Sequence, residues 1–340
     1  MFNLPRFFGP GYYLIFRKML RQIVPSVRRC LSTSSKKLNS KFHKVGVVGL
    51  GLMGHGIAQV AAQAGFDVLA IEAQQNALDA GYKRIQTSLQ KVIAKDVAKG
   101  VYKDDAAGKV VYDEILSRVK TTTNMKDAKD CDLIIEAIAE NMELKLSFYE
   151  NLGPIIKPEA VFASNTSSLQ ITKMALASGR PKQFVGLHFF NPVQLMKLVE
   201  VIRTEHTSDK VFDSLLAFGK DINKVTVSCR DTPGFIVNRL LVPFLTQSML
   251  MVDRHEATVT DIDISMQLGA GHPMGPLHLS DYIGLDTIHS ILLGWKKDYP
   301  KEAAFVIPKC LEKKVKEGNL GRKSGKGFYI WDGDKPKGPA

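Results

Sequence analysis

A glycine-rich motif between a predicted strand and a predicted helix is the feature that most constrains the fold of this chain. The motif consists of Gly49, Leu50, Gly51, Leu52, Met53 and Gly54. An apolar run at 44–48 precedes it, small residues at 56–64 follow it, and a second apolar run at 67–71 ends next to Glu72. Glycines in this spacing are a weak signal alone. Between a strand and a helix, with an acid 18 residues after the last glycine, they predict a dinucleotide-binding βαβ unit.

Each glycine of the motif has its own physical task. Gly49 allows a tight turn, Gly51 lets the backbone approach a pyrophosphate, and Gly54 lets the helix pack closely on the strand. The helix N-terminus then meets the negative charge of the phosphates. Glu72 would accept hydrogen bonds from ribose hydroxyls and repel a 2′-phosphate, which favours NAD over NADP. The alternative interpretation is a glycine-rich turn that binds nothing.

Polar residues also follow the next two predicted strands, at 132–138 and 161–164. Glu140 comes directly after the first strand, and Asn-Thr-Ser-Ser at 165–168 follows the second. Ligands bind at the carboxyl ends of strands in open α/β sheets, so these residues are candidate ligand contacts. The alternative for the second group is a helix cap, a task that suits Ser168.

A histidine and a glutamate occupy two strand-like segments joined by a short connection. The first segment carries His188, a turn follows at Asn191-Pro192, and the second segment ends on Glu200. If the far ends of the segments meet, the carboxylate fixes the histidine tautomer and stabilises the imidazolium, as a general base requires. A lone histidine beside an apolar run is otherwise a core residue, and the pattern alone leaves both interpretations open.

The order of the predicted elements indicates an α/β fold with a Rossmann-type doubly wound sheet, an inserted helical hairpin and an all-α C-terminal domain. We assign 41–230 to the NAD-binding domain, about 74–118 to the hairpin, and 231–331 to the helical domain, and we predict that 332–340 is disordered. The apolar helix at 236–252 favours burial against a second subunit, most simply in a homodimer.

Positive charge is concentrated at the start of the chain. Residues 1–66 hold ten Lys or Arg and no acid, whereas the remainder holds 36 basic and 34 acidic residues. A basic, serine-containing segment without acids is typical of a mitochondrial transit peptide, which we assign to 1–40 and which predicts the matrix as destination. An unprocessed basic tail is the alternative. Because the folded body has little excess charge, nucleic-acid binding is not predicted.

Membrane and metal sites are not predicted either. The apolar run at 12–16 is too short to span a bilayer, so the sequence predicts no transmembrane segment. The four cysteines lie far apart and the eight histidines form no HxxxH or HExxH pattern. This spacing favours neither a zinc site nor a disulfide framework.

Several motifs occur together in a fixed order. They are GLGLMG at 49–54, SNTSSL at 164–169, HFFNPV at 188–193, DTPGFIVNR at 231–239 and GAGHPMGP at 269–276. With these motifs the chain, from about 41 to 331, resembles the mitochondrial short-chain L-3-hydroxyacyl-CoA dehydrogenase family. The resemblance implies an enzyme of fatty-acid β-oxidation that uses NAD to oxidise L-3-hydroxyacyl-CoA to 3-oxoacyl-CoA.

The resemblance also implies a role for each matching position. His188 would be the general base and Glu200 would orient it, while Ser167 and Asn238 would bind the hydroxyl and thioester region of the substrate. The positions that match NAD contacts are Gly49, Leu50, Gly51, Leu52, Met53, Gly54, Glu72, Glu140, Lys145, Ser167, Asn191 and Lys323. The positions that match CoA contacts are Ser88, Lys95, Lys145 and Ser167.

Three residues depart from the family pattern. Glu72 stands in place of Asp, His55 in place of a small residue after the last glycine of the motif, and Gln194 in place of a proline, which is expected to loosen its loop. Two other functions remain open beside the CoA-dependent one. One is a related sugar-acid dehydrogenase that acts on L-gulonate without CoA, and the other is a structural relative without catalysis.

Overall fold

The described part of the chain is residues 38–340, for which the structure is a computed structural model. Most of the predicted transit peptide, residues 1–37, lies outside it. Asn39 and Ser40, the last two residues assigned to the transit peptide, contact the folded domain, and the boundary at residue 40 stays a prediction. Their backbone amides donate to the carboxylate of Asp221 at 2.8 to 3.0 Å.

An eight-stranded sheet forms the centre of the N-terminal domain, in the order β3-β2-β1-β4-β5-β6-β7-β8. Neighbouring strands are parallel except β6 and β7, which are antiparallel. The strands are β1 (Lys44–Val48), β2 (Asp67–Ile71), β3 (Val119–Thr122), β4 (Leu133–Glu136), β5 (Val161–Ser164), β6 (Phe184–Phe189), β7 (Leu198–Arg203) and β8 (Val225–Arg230). The predicted doubly wound α/β fold is confirmed.

Helices cover both faces of this sheet because its central strands are apolar on both sides. In β4, Leu133 and Ile135 join the core on one face while Ile134 joins the core on the other. The first face is covered by α1 (Gly54–Gln63), α2 (Gln75–Ala98), α3 (Asp105–Ser117) and α6 (Asp209–Asp221). The second face is covered by α4 (Met142–Leu152) and α5 (Ile171–Ala177). Helices α2 and α3 form the inserted hairpin.

The C-terminal domain packs its helices around a separate apolar core that includes Leu245, Met249, Leu277 and Leu292. Its helices are α7 (Val237–Asp253), α8 (Val259–Ala270), α9 (Pro276–Ile283), α10 (Leu285–Asp298) and α11 (Lys309–Lys316). Within the described residues, no helix has both the length and the apolarity that crossing a membrane requires.

Two strands follow these helices, and they correct the prediction that 332–340 is disordered. Strand β9 (Tyr329–Asp332) pairs antiparallel with β10 (Lys335–Pro339). The polar tail has no apolar pattern of its own, so its order comes from backbone pairing with β9. That strand is anchored in turn by Asp281, whose carboxylate accepts from the Tyr329 amide and the Trp331 indole, both at 2.9 Å.

Candidate active site

The catalytic pair predicted from the sequence lies at the antiparallel junction of the sheet. His188 in β6 and Glu200 in β7 are direct cross-strand partners. His188 Nδ1 lies 2.7 Å from Glu200 Oε2, and both residues are buried. The rings of Phe190 and Phe235 lie 4.5 and 5.6 Å from the imidazole. These contacts leave Nε2 as the ring nitrogen available to a ligand.

Glu200 also contacts the second domain. Its Oε1 accepts hydrogen bonds from the backbone amides of Ile236 at 3.1 Å and Val237 at 2.9 Å, where α7 begins. The next residue of α7 is Asn238, whose Nδ2 donates to the carbonyl oxygen of Ser167 at 3.3 Å. The candidate residues from the two domains therefore meet across the domain boundary.

Glu140 organises the polar loop that follows β5. Its Oε1 accepts from the hydroxyl of Thr166 at 2.6 Å and from the backbone amide and hydroxyl of Ser167 at 2.9 and 3.3 Å. Ser168 donates its hydroxyl to the same oxygen at 3.3 Å. One carboxylate thus fixes the conformation of a loop whose side chains line a ligand cavity.

A cavity of about 330 Å³ brings most of these groups together. Its lining includes Met53, Glu140, Ser167, His188 and Asn191. This volume is at the small end of ligand sites. We refer to it as the catalytic cavity.

A second cavity, of about 680 Å³, lies outside the carboxyl ends of β1, β2 and β4 and includes Gly49, Gly51 and Glu72 in its lining. We refer to it as the nucleotide cavity. Ala137 and Ile138 line both this cavity and the catalytic cavity, so the two are neighbours. An elongated molecule could therefore extend from Glu72 toward His188.

The glycine motif fits a dinucleotide. Gly49 has φ +89°, and a Cβ added there would lie 2.6 Å from the carbonyl oxygen of Ala137. A Cβ added to Gly54 would lie 1.7 Å from the carbonyl oxygen of Gly49. The protein itself therefore requires these two glycines. Apart from its two neighbours in the chain, no described residue has an atom within 4 Å of a Cβ built on Gly51, which lines the nucleotide cavity. A ligand could therefore approach this backbone closely.

Glu72 has a contact that the sequence did not suggest. Its Oε2 accepts a hydrogen bond from the backbone amide of Leu50 at 2.9 Å, so its longer arm holds the glycine loop. His55 contacts the same loop, since its Nδ1 lies 2.7 Å from the carbonyl oxygen of Gly51. Leu52 is exposed at the surface of the loop.

The loop that contains Gln194 is bonded to its surroundings at several points. Gln194 Nε2 donates to Oε1 of the buried Gln59 in α1 at 3.0 Å. Lys224 donates its buried ammonium to the carbonyl oxygens of Val193 and Met196 in the same loop. These bonds would oppose the loosening expected from the loss of a proline, which stays a prediction.

Lys145 is held by acids rather than exposed to a ligand. Its side chain is 1% exposed, and its Nζ lies 2.5 Å from Glu136 Oε1 and 3.5 Å from Glu140 Oε2. Sequence reasoning treated Glu136 as part of a buried strand, although an acid at the end of an apolar run was a signal for it. The geometry favours an indirect role for Lys145 over a direct contact with NAD or CoA.

Three other predicted contacts do not line the catalytic cavity. Lys323 pairs with Asp286 at 2.5 Å, and Asp286 lines a cavity of about 610 Å³ between the domains. Ser88 and Lys95 lie seven residues apart on α2, where Lys95 is exposed. A spacing of seven keeps both on one face of the helix, as a shared ligand contact requires. Their roles remain predictions.

Two family models together match almost the whole described chain. The "3-hydroxyacyl-CoA dehydrogenase, NAD binding domain" matches residues 44–232, and the "3-hydroxyacyl-CoA dehydrogenase, C-terminal domain" matches residues 234–331. The meeting point of the two matches falls between β8 and α7, where the sheet gives way to helices.

Individual relatives agree with these matches. The human "Hydroxyacyl-coenzyme A dehydrogenase, mitochondrial" is 44% identical over 316 residues, covering 93% of this chain and 98% of its own. The crystal structure of (S)-3-hydroxybutyryl-CoA dehydrogenase PaaH1 from Ralstonia eutropha superposes with a TM-score of 0.80 at 35% identity, covering 86% of this chain and 99% of its own. The crystal structure of FadB2 from M. tuberculosis superposes with a TM-score of 0.77 at 40% identity, covering 86% of this chain and 99% of its own.

Proposed function

Because the chain belongs to the 3-hydroxyacyl-CoA dehydrogenase family, we propose that His188 is its general base and that Glu200, Ser167 and Asn238 complete its active site. The enzyme is an NAD-dependent oxidoreductase that converts L-3-hydroxyacyl-CoA to 3-oxoacyl-CoA in fatty-acid β-oxidation. The observation that carries the residue assignment is the buried pair of His188 Nδ1 and Glu200 Oε2 at 2.7 Å, beside a cavity that also contains Ser167.

His188 moves the proton of the reaction. With Glu200 ionised, Nδ1–H donates to Oε2, and Nε2 keeps a lone pair for the 3-hydroxyl of the substrate. As Nε2 takes that proton, the C–O bond gains double-bond character and C3 gives up its hydride. NAD, when bound, supplies the acceptor for that hydride. The Glu200 carboxylate stabilises the imidazolium that results.

Ser167 and Asn238 orient the substrate in this proposal. The Ser167 hydroxyl belongs to a loop fixed by Glu140, and the Asn238 amide arrives from the helical domain. The Ser167 hydroxyl would exchange its 3.3 Å bond to Glu140 for one to the substrate hydroxyl oxygen, and the second hydrogen of the Asn238 amide would reach the thioester oxygen. Together these bonds would direct C3 toward the cofactor. Holding reacting groups in this way removes much of the entropic part of the barrier.

NAD and CoA would occupy opposite ends of the site. Gly49 to Gly54 and Glu72 would hold the adenosine and pyrophosphate half of NAD in the nucleotide cavity, with Asn191 at the nicotinamide end. Ser88 and the exposed ammonium of Lys95 on α2 would contact the CoA phosphates. Phosphate contacts of this kind position a substrate without touching the reacting carbon.

The activity of the full chain toward two substrates tests this function directly. We expect the chain to oxidise NADH with acetoacetyl-CoA, and we expect little oxidation of L-gulonate with NAD⁺. Activity with L-gulonate alone would favour the sugar-acid dehydrogenase. Binding of NADH and acetoacetyl-CoA without turnover would favour a structural protein. As a control, His188→Ala should bind NADH normally and lose about 10²- to 10⁴-fold in kcat, the usual contribution of a general base.

The helical domain supports a homodimer. Leu240 and Leu268 are 69% and 84% exposed, and Ile264 and Leu293 are each nearly half exposed. Apolar side chains of this number on α7, α8 and α10 favour burial against a second copy. Sedimentation equilibrium of the full chain should give twice the monomer mass, and Leu268→Glu should shift the equilibrium to monomer. A monomeric wild-type chain would contradict the dimer.

The destination we propose is the mitochondrial matrix. The human relative is named mitochondrial, and residues 1–37 of this chain have the composition of a transit peptide. N-terminal sequencing of the protein from isolated mitochondria should begin before Asn39, since that residue is part of the fold. An intact Met1, or loss of the protein when intact mitochondria are treated with protease, would contradict this destination.

A further inference from the structure

A buried carboxylate with four hydrogen-bond donors lies behind the catalytic cavity. Glu136, the last residue of β4, is 0% exposed. Its Oε1 accepts from Lys145 Nζ at 2.5 Å and from the Ile138 amide at 2.8 Å. Its Oε2 accepts from the hydroxyls of Ser164 at 2.7 Å and Tyr149 at 3.3 Å. A charge satisfied in this way is stable in a buried position and rigid in space.

The same network holds a second carboxylate at the cavity itself. Lys145 Nζ lies 3.5 Å from Glu140 Oε2, and the Lys145 side chain is 1% exposed. A buried ammonium requires counter-charges, so Glu136 and Glu140 share it. Glu136 makes the shorter contact and carries most of that task. Glu140 is therefore left to bind the loop that contains Ser167.

Glu140 and Glu136 hold this loop at its two ends. Glu140 Oε1 accepts from the backbone amide of Ser167 at 2.9 Å and from its hydroxyl at 3.3 Å. Glu136 Oε2 accepts directly from Ser164, where the loop begins. The loop between them provides both Ser167 and Asn165 to the lining of the catalytic cavity.

We propose that Glu136 is a positioning residue for catalysis, acting through Lys145 and Glu140 on the hydroxyl of Ser167. The inference rests on the proposed function, because it concerns the same active site. Without the Glu136 charge, Lys145 has only Glu140 as a counter-charge and draws its carboxylate away from Ser167. The substrate hydroxyl then lies less well aligned with His188, and turnover falls although every catalytic side chain is present.

A double-mutant cycle tests the route through Ser167. We expect Glu136→Gln to lower kcat/KM by about 10- to 100-fold, the cost of a small misalignment at a reacting centre. In a Ser167→Ala background the same change should cost less than about 3-fold, because the group it positions is already absent. An equal loss in both backgrounds would show independent effects and overturn the proposal. So would a Glu136→Gln variant with wild-type kcat/KM.

Binding and stability measurements separate positioning from damage to the fold. Fluorescence titration of Glu136→Gln with NADH should give a dissociation constant within about 3-fold of wild type, since the proposed displacement affects the Ser167 hydroxyl and leaves Glu72 and the glycine loop in place. Tyr149→Phe is the matched control, since it removes the longest bond to Glu136 and leaves the contacts of Lys145 in place. We expect it to lower the melting temperature and to leave kcat/KM near wild type. A large loss of kcat/KM in Tyr149→Phe would overturn the assignment.

A second variant covers the case in which Glu136→Gln fails to fold. Glu136→Leu combined with Lys145→Met replaces the buried ion pair by apolar groups, an exchange that proteins often tolerate. We expect this chain to fold. Adding Ser167→Ala to it should cost as much in kcat/KM as in the wild type, since no ammonium remains to draw Glu140 from Ser167. A folded double variant in which Ser167→Ala costs nothing would overturn the proposal, because Ser167 would then be out of place without that ammonium. Absence of activity in the wild-type chain would instead reject the proposed function.

Discussion

Glu200 and His188 occupy facing positions of two antiparallel strands, with the carboxylate Oε2 2.7 Å from the imidazole Nδ1. The second oxygen of the same carboxylate accepts from the first backbone amides of α7. The proposed general base is thus oriented by a group that also contacts the start of the helix carrying Asn238. A substitution of Glu200 can therefore act on proton transfer by His188, on the contact between the domains, or on both.

Glu200→Gln should separate these two effects. The Gln carbonyl oxygen can still accept from the Ile236 and Val237 amides, but its amide nitrogen then faces His188 Nδ1 and imposes the wrong tautomer. We expect kcat to fall on the order of 100-fold, with little change in the dissociation constant of NADH. The measurements are steady-state kinetics with acetoacetyl-CoA and a fluorescence titration with NADH. Equal losses in turnover and NADH affinity would mean that Glu200 is mainly structural.

Glu72→Gln tests the position of the adenosine ribose. Gln keeps an oxygen for the Leu50 amide, which Glu72 binds at 2.9 Å, but loses the charge and the second oxygen, which accepts from the Ala73 amide at 2.9 Å. We expect affinity for NADH to fall about 10-fold, the worth of a charged hydrogen bond, and affinity for NADPH to rise relative to it. Glu72→Ala, which also releases the loop, should lose more. An unchanged preference between the two cofactors in Glu72→Gln would place the ribose elsewhere.

Gln194→Ala should lower stability more than activity. The change leaves Oε1 of the buried Gln59 without the donor that lies at 3.0 Å. An orphaned buried acceptor costs about 1 to 3 kcal/mol of unfolding free energy. Urea unfolding measures this loss, and Gln59→Leu combined with Gln194→Leu should recover part of it because both polar groups are then gone. A Gln194→Ala chain as stable as wild type would show that this bond contributes nothing.

Asp221→Asn should destabilise the enzyme in a pH-dependent way. Burial alone would raise the pKa of the Asp221 carboxyl, but hydrogen bonds from the Asn39 and Ser40 amides outweigh it and lower that pKa below its usual value. Because the Asp221 pKa is lower in the folded protein than in the unfolded chain, where it is about 3.9, the ionised carboxylate stabilises the fold above that pH. This stabilisation is lost as the pH falls through the pKa of the folded protein. The deficit of Asp221→Asn should thus be largest near neutrality.

Urea unfolding at several pH values measures that deficit. We expect it to be roughly 1 kcal/mol at neutral pH and to shrink below about pH 4. A chain without residues 1–40 is the control, since it lacks the Asn39 and Ser40 donors and should show a smaller effect of Asp221→Asn. A deficit that is the same at every pH would mean that the Asp221 charge is not its source.

Residue patterns within short segments of the sequence were sufficient to predict the elements formed by those segments. The glycine motif, the strands around it and the Asn191-Pro192 turn between His188 and Glu200 are continuous in sequence, so their periodicity and spacing were sufficient. Strand β3 was missed because one buried valine followed by Lys, Thr and Thr gives no clear alternation. Strand β10 was missed because its order comes from pairing with β9 rather than from its own residues.

Contacts between distant residues set the limit for the site. Ser164 and Lys145 both donate to the Glu136 carboxylate, although they lie 28 and nine residues after it. No pattern in the sequence around Glu136 predicts these contacts. The ion pair of Lys323 with Asp286 spans 37 residues and was likewise invisible. The resemblance to the family supplied candidate positions, whereas the structure supplied the partners that hold each one.

The two oxygens of Glu200 have an evolutionary consequence. In the proposed mechanism one oxygen serves proton chemistry and the other serves the joint between the domains, so a replacement must supply acceptors for both, and even Gln keeps only the joint. Descendants of this enzyme that adopt another acid–base residue would first need a substitute anchor for the start of α7. Position 200 is therefore expected to resist change in laboratory selection for new substrates, while the walls of the cavity between the domains diversify.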